Sequence, residues 1–161
     1  MEVAGVAELR ASVFTQHYRS VVTCGLAAFD EAAGECRAVC ECAWASRGGD
    51  CGERYRAVAD AVLSWAAENR DAARFLFVVT ERTSEPVLLA RLSAFKRSVA
   101  ELFDPSAKYT PAGRIHVEFL VGLFFRVVAE ALGGEVSTAA LRREVLSLSL
   151  FLSGCSTRLA E

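Results

Sequence analysis

Proline is scarce in this sequence, with three residues in 161, and no stretch is dominated by a few residue types. Apolar residues make up 53% and charged ones 24%. That mix excludes a disordered chain and is enough to bury a core. A basic excess is also missing, since the formal net charge is −2; proteins that rely on phosphate contacts usually carry a basic patch. No secretory or membrane-spanning segment is evident. Glu2, Glu8, Arg10, His17 and Arg19 interrupt the first twenty residues, and Glu118, Arg126 and Glu130 interrupt the most apolar stretch. The expected compartment is therefore the cytoplasm. No nucleophile motif, phosphate loop, dinucleotide fingerprint or paired metal motif occurs, so neither an enzyme nor a cofactor is expected. With no internal repeat or linker, the length fits one domain.

What is present is helical periodicity. From Val21 to Ser46 the apolar residues Val22, Leu26, Phe29, Ala33, Cys36, Cys40 and Trp44 recur in steps of three and four, the spacing of one helix face. Arg47-Gly48-Gly49 ends that helix, and Asp50 with Glu53 forms a capping box for the next, which carries Tyr55, Val58, Val62 and Trp65 and stops near Asn69. Asp71 is expected to cap a short helix through Phe75-Leu76-Phe77-Val78-Val79. That run has the periodicity of a strand as well, but its flanks favour helix and no partner strand is evident. Ser84 is the expected cap of a further helix, with Pro86 in its first turn and Leu88, Leu92, Phe95, Val99 and Leu102 as its buried stripe. Residues 104–113 read as a loop. The fold class is all-α.

The last two helices, expected over 115–132 and 141–152, are apolar around most of their circumference and need partners on several sides. Leaving about five such side chains wet would forfeit roughly 7–15 kcal/mol, as much as a typical domain's whole stability. A homodimer through these helices, with Val121, Phe125, Val128, Val145, Leu148 and Leu152 along its seam, removes that penalty.

Several clusters invite a chemical reading. Cys36, Cys40 and Cys42 could serve as soft metal or redox ligands. However, Cys42 falls on another face, and the two histidines, His17 and His116, offer no local fourth ligand. The expectation is small buried hydrophobes and no metal site. His116 beside Arg114 and Glu118 has the titration range for proton transfer, but a lone histidine at a helix start is the ordinary surface or capping residue. Glu118, Arg126 and Glu130 share a face with Gly122, either as a polar anchor or as a solvated edge with a weak i,i+4 pair. Trp44, Tyr55, Trp65, Phe75, Phe77, Phe95, Phe119 and Phe124 either fill the core or line a ligand cavity.

Beyond these patterns, Val13-Phe14-Thr15-Gln16-His17-Tyr18-Arg19-Ser20 followed by Cys24-Gly25-Leu26-Ala27-Ala28-Phe29-Asp30-Glu31-Ala32 resembles the junction of a TetR-family transcriptional regulator. In that family a recognition helix gives way to the long first helix of the effector-binding domain. Ala67-Glu68-Asn69-Arg70-Asp71-Ala72-Ala73-Arg74-Phe75-Leu76-Phe77 is similar to the family's mid-domain helix junction. The chain departs from the pattern at Val21-Val22-Thr23, where the family has a charged turn, and at Thr15, where a phosphate-contacting tyrosine is usual. The resemblance implies two parts: residues 1–20 as the last part of a helix-turn-helix, and 21–161 as an effector-binding and dimerisation domain. It also implies DNA contact through His17, Tyr18 and Arg19, and a pocket for a small apolar or aromatic effector near Cys40, Trp44, Trp65, Phe95, Phe119 and Leu123.

Against DNA contact stands the charge count. Arg10 and Arg19 are the only Lys or Arg residues in the first thirty, whereas duplex binding commonly uses roughly six to ten phosphate contacts. The alternative is a ligand-binding or protein-pairing module, derived from that family, that does not bind DNA. A thiol-based sensor is a third, weaker reading.

Overall fold

The computed structural model describes residues 17–46, 51–103 and 111–133, with the side chains of 51, 111–114, 116 and 117 outside that description. Among the described residues the chain is all-α, with no strand. Five α-helices run in order: α1 (Val21–Ser46), α2 (Cys51–Glu68), α3 (Arg70–Arg74), α4 (Pro86–Phe103) and α5 (Pro111–Gly133). A π-helical turn (Phe75–Val79) and a 3-10 turn (Thr80–Arg82) extend α3 without a break. No described helix is long and apolar enough to cross a membrane. The expected breaker Arg47-Gly48-Gly49, the cap Asp50 and the second greasy helix with Val145, Leu148 and Leu152 lie outside the described residues.

Helix α1 has the bounds its periodicity predicts. Ser20 closes its first turn: its hydroxyl accepts the Thr23 amide at 3.1 Å, and its carbonyl accepts the Cys24 amide at 3.1 Å. Phe29, Ala32, Ala33, Cys36, Cys40 and Ala43 form the buried face. That face lies along α2, whose Val58, Val62, Leu63, Trp65 and Ala66 are buried in turn, and along α4.

The next junction differs in detail from the sequence reading. The α3 helix starts at Arg70 behind Asn69, whose carbonyl accepts the Ala73 amide at 2.9 Å, so Asp71 sits in the first turn instead of capping it. An acidic residue there favours the positive end of the helix dipole. The run Phe75–Val79 is helical, as its flanks suggest, but wound wider than an α-helix: the Thr80 amide reaches back five residues to the Phe75 carbonyl. Thr80 is fully buried, and its hydroxyl donates to the Leu76 carbonyl at 2.5 Å. That bond satisfies a polar group which would otherwise cost about 1–3 kcal/mol to bury. Ala73, Leu76 and Phe77 share the inward side with it.

Thr83 turns extended and ends this segment. Its hydroxyl accepts the Glu85 amide at 3.2 Å, and Glu85, whose carbonyl accepts the Leu89 amide at 3.1 Å, stands in the cap position where Ser84 was expected; Pro86 opens α4. Proline suits that position because its missing N–H has no intrahelical partner there. The buried stripe of α4 is Leu88, Leu92, Phe95, Val99, Ala100 and Phe103, so the last turn buries Phe103 where Leu102 was expected. Pro111 opens α5 in the same way, four residues before the expected start at Ile115.

One face of α5 completes the core, with Val121, Phe125, Val128 and Leu132 buried among the other helices. Phe29, Phe95, Phe125 and Phe77 form a chain of ring contacts through it, with centroids 6.3, 5.8 and 4.8 Å apart in sequence. A second cluster, Trp44, Tyr55 and Phe103, joins the C-terminal ends of α1 and α4 to the start of α2, its centroids 5.1–5.3 Å apart. All are edge-on or tilted, the arrangements ring quadrupoles prefer.

Candidate functional site

Two helical faces with the same spacing oppose each other across a cleft. The first, on the α3 segment, carries Arg74, Phe77, Val78, Glu81 and Arg82. The second, on α5, carries Gly122, Phe125, Arg126, Ala129 and Glu130. Both follow the i, i+3, i+4, i+7, i+8 pattern of one helix side. Lys96 of α4 and Leu132 and Gly133 of α5 complete the lining. The cleft is partly open, with a volume of about 570 Å³, within the range of about 300–1,000 Å³ typical of small-molecule sites. Small residues hold it open. A Cβ added at Gly122 would meet nothing within 4 Å, and Ala129 projects only a methyl.

The cleft is apolar at its base and charged at its rim. Phe77 and Phe125 form the base, with Lys96 Nζ 4.9 Å from the Phe125 ring centroid, inside cation–π range. Lys96 also pairs with Glu81, bridging α4 to the end of the α3 segment. On α5, Arg126 Nε donates to Glu130 Oε1 at 2.8 Å, realising the i,i+4 pair legible in the sequence. Both carboxylates are therefore engaged. Arg74 and Arg82 have no ion-pair partner among the described residues. The rim thus carries two ion pairs and a surplus of two cations, Arg74 and Arg82. A broader trough between α1 and α2, lined by Ala38, Val39, Cys42, Ala57, Asp60 and Ala61, has little functional chemistry beyond one carboxylate and one thiol.

The residues expected to bind an effector are placed differently. Cys40, Trp65 and Phe95 are buried, Trp44 and Leu123 half-buried, and Phe119 exposed. Ring contacts take up Trp44 and Phe95, and the Trp65 indole N–H reaches Glu35 at 3.3 Å. None of the six lines the cleft. Of the residues expected along a dimer seam, Val121, Phe125 and Val128 face into the protomer's own core. The side of α5 left open shows Ile115 and Phe119, 65% and 63% exposed and one turn apart. His17, Tyr18 and Arg19 stand together just ahead of α1, with His17 and Arg19 exposed.

Missed at the sequence level were Arg74, Glu81, Arg82 and Lys96. The matching register of the α3 and α5 faces was the available signal, but only folding brings the two together.

Cysteine chemistry is quiet where it is buried. Cys36 and Cys40 are neighbours on α1, while Cys42 lies on the exposed side. The Cys36 thiol is pushed far above the ordinary thiol range, first by its hydrogen bond with Cys40, then by burial and by the adjoining charge. It stays protonated near neutral pH and is a poor nucleophile. Among the described residues no group of three or more His, Cys, Asp or Glu could hold a metal ion.

A pH dependence follows from Cys36. Its proton is held more tightly in the folded chain, so the stabilisation is complete below the unfolded thiol pKa of about 8.5. It declines above that value, by about 1.4 kcal/mol per pH unit at most. Urea unfolding between pH 8 and 10 should fall more steeply for the wild type than for Cys36→Ala; equal slopes would remove Cys36 as the cause.

No protein-family model, curated protein or solved structure matches the chain.

Proposed function

We propose that this chain is the sensing and pairing domain of a TetR-like transcriptional regulator, acting as a homodimer that responds to a small, largely apolar effector. The observation that carries this reading is the junction at Ser20. The resemblance puts the turn between DNA reader and sensing domain there, and there a side-chain cap starts a 26-residue helix whose apolar face enters the core. Such a helix can transmit a shift of the core to whatever precedes it. The ligand-sized cleft between the α3 segment and α5 supplies a place where an effector can favour one arrangement over another, and that differential affinity is what a response requires. The open side of α5, with Ile115 and Phe119, is the pairing face.

A second reading rests on charge. With Arg10 and Arg19 the only Lys or Arg residues before residue 31, the chain pairs or binds ligand without reading DNA itself. Fluorescence anisotropy on labelled DNA from the gene's own upstream region, stepped from about 50 to 200 mM salt, separates the two. Saturable binding that outcompetes random DNA is expected of a regulator. Absence of binding at low salt removes the DNA-reading function and leaves the pairing module.

A further inference from the structure

We propose that the cleft between the α3 segment and α5 binds an amphipathic anion: an oxyanion head, carboxylate or sulfonate, on an aromatic or branched apolar body. This rests on the sensing reading and sharpens it, because that reading asks only for a largely apolar effector.

The base of the cleft selects the body. Phe77 and Phe125 present ring surface, Val78 and Leu132 add aliphatic wall, and Gly122 and Ala129 leave the room a ring would occupy. The rim selects the head. Glu81 and Glu130 are held by Lys96 and Arg126, so they do not neutralise Arg74 and Arg82. Those two guanidinium groups lie two turns apart on the same segment, at positions equivalent on a helix face.

A neutral ligand would use the apolar base alone and draw nothing from Arg74 and Arg82, which are both exposed at the rim. An oxyanion on an apolar body uses base and rim together. A guanidinium offers a planar pair of donors that matches two oxygens of a carboxylate or sulfonate, with charge-assisted bonds roughly twice as strong as neutral ones. The Lys96–Glu81 pair contributes by holding the end of the α3 segment against α4, which keeps Arg82 at the rim. The volume of about 570 Å³ admits one small ligand, not a chain.

The test uses the full chain and two matched fluorescent probes, the anion anilinonaphthalene sulfonate and its neutral relative N-phenylnaphthylamine. Three proteins are titrated at fixed salt: wild type, the double variant Arg74→Ala with Arg82→Ala, and Gly122→Leu. Circular dichroism checks that each is folded. Gly122→Leu projects into the cleft from a position where an added Cβ meets nothing within 4 Å.

The expected result is one anion site per protomer, at least tenfold tighter than the neutral probe. The double arginine variant should weaken the anion tenfold or more and leave the neutral probe unchanged, and Gly122→Leu should abolish both. If the neutral probe binds as tightly as the anion and the arginine variant changes neither, the inference is overturned while an apolar-effector sensor survives. If the anion binds Gly122→Leu as well as wild type, its site is elsewhere and the inference is again overturned. If neither probe binds the folded wild type, the inference fails and the cleft no longer supports the sensing reading.

Discussion

Replacing Phe125 with alanine should cost about 3–5 kcal/mol of folding stability, the usual range for deleting a buried aromatic ring. Phe125 is 3% exposed and sits where the α3 segment, α4 and α5 meet. Its ring touches Phe77 at 4.8 Å and Phe95 at 5.8 Å, and Lys96 lies 4.9 Å above it. Truncation therefore removes two edge-on ring pairs and a cation–π contact together. It also leaves a void whose walls are tied to separate helices and cannot easily close. Against a typical domain stability of about 5–15 kcal/mol, such a loss leaves a marginal fold. Phe125→Leu keeps most of the volume and should cost much less. Urea unfolding of the three proteins measures both differences; an alanine variant within about 1 kcal/mol of wild type would mean the ring is not the keystone of this junction.

Two glutamate substitutions on the same helix should part company completely. Val128→Glu puts a carboxylate where the residue is 0% exposed, in a core whose one buried polar member among the described residues is Thr80. Burying an unpaired charge costs several kcal/mol, so the variant should not fold. Phe119→Glu, nine residues earlier and on the opposite side of the helix at 63% exposure, should leave helicity intact and convert the proposed dimer to a monomer in sedimentation. Burial of Ile115 and Phe119 contributes about 1.5–3 kcal/mol per side chain, against association costs of about 4–15 kcal/mol. The half-buried Leu120, Leu123 and Phe124 beside them are therefore also needed for a stable seam. A wild type that runs as a monomer at micromolar concentration, or a Phe119→Glu variant that still pairs, would remove the homodimer from the proposal. Phe125→Glu, although on the same apolar helix, would unfold the protomer and report nothing about pairing.

These contrasts mark the border between what is local and what is not. The span of α1 was legible, because a single apolar stripe from Val22 to Trp44 in steps of three and four leaves one way to wind that segment. Pro86 at the opening of α4 was legible for the same kind of reason, since its fixed backbone angle and missing donor suit one position in a helix. Helix order and the all-α class followed from patterns of this sort, each contained within about four residues.

The candidate site was legible only in part. Gly122, Arg126 and Glu130 could be placed on one face of α5, and the i,i+4 pair between the last two could be foreseen. That this face opposes Arg74, Phe77 and Arg82 could not, because nearly fifty residues separate them and periodicity carries no information about which faces meet. The same limit explains why the ligand residues first expected, Trp65 and Phe95 among them, lie instead in packed interior. Aromatic composition looks alike in a cavity wall and in a filled core.

What the sequence determined by itself was the order of the described helices, through the 3.6-residue repeat and the helix-opening Pro86; the caps expected at Asp71 and Ser84 are not the ones the fold uses. Only the tertiary structure decided which side of the largely apolar α5 turns inward, that the Phe75–Val79 run winds as a π turn, and that two distant charged faces line one cleft. Each of those depends on how side chains from several helices share one space, and that competition for volume is settled by packing, not by the local chain.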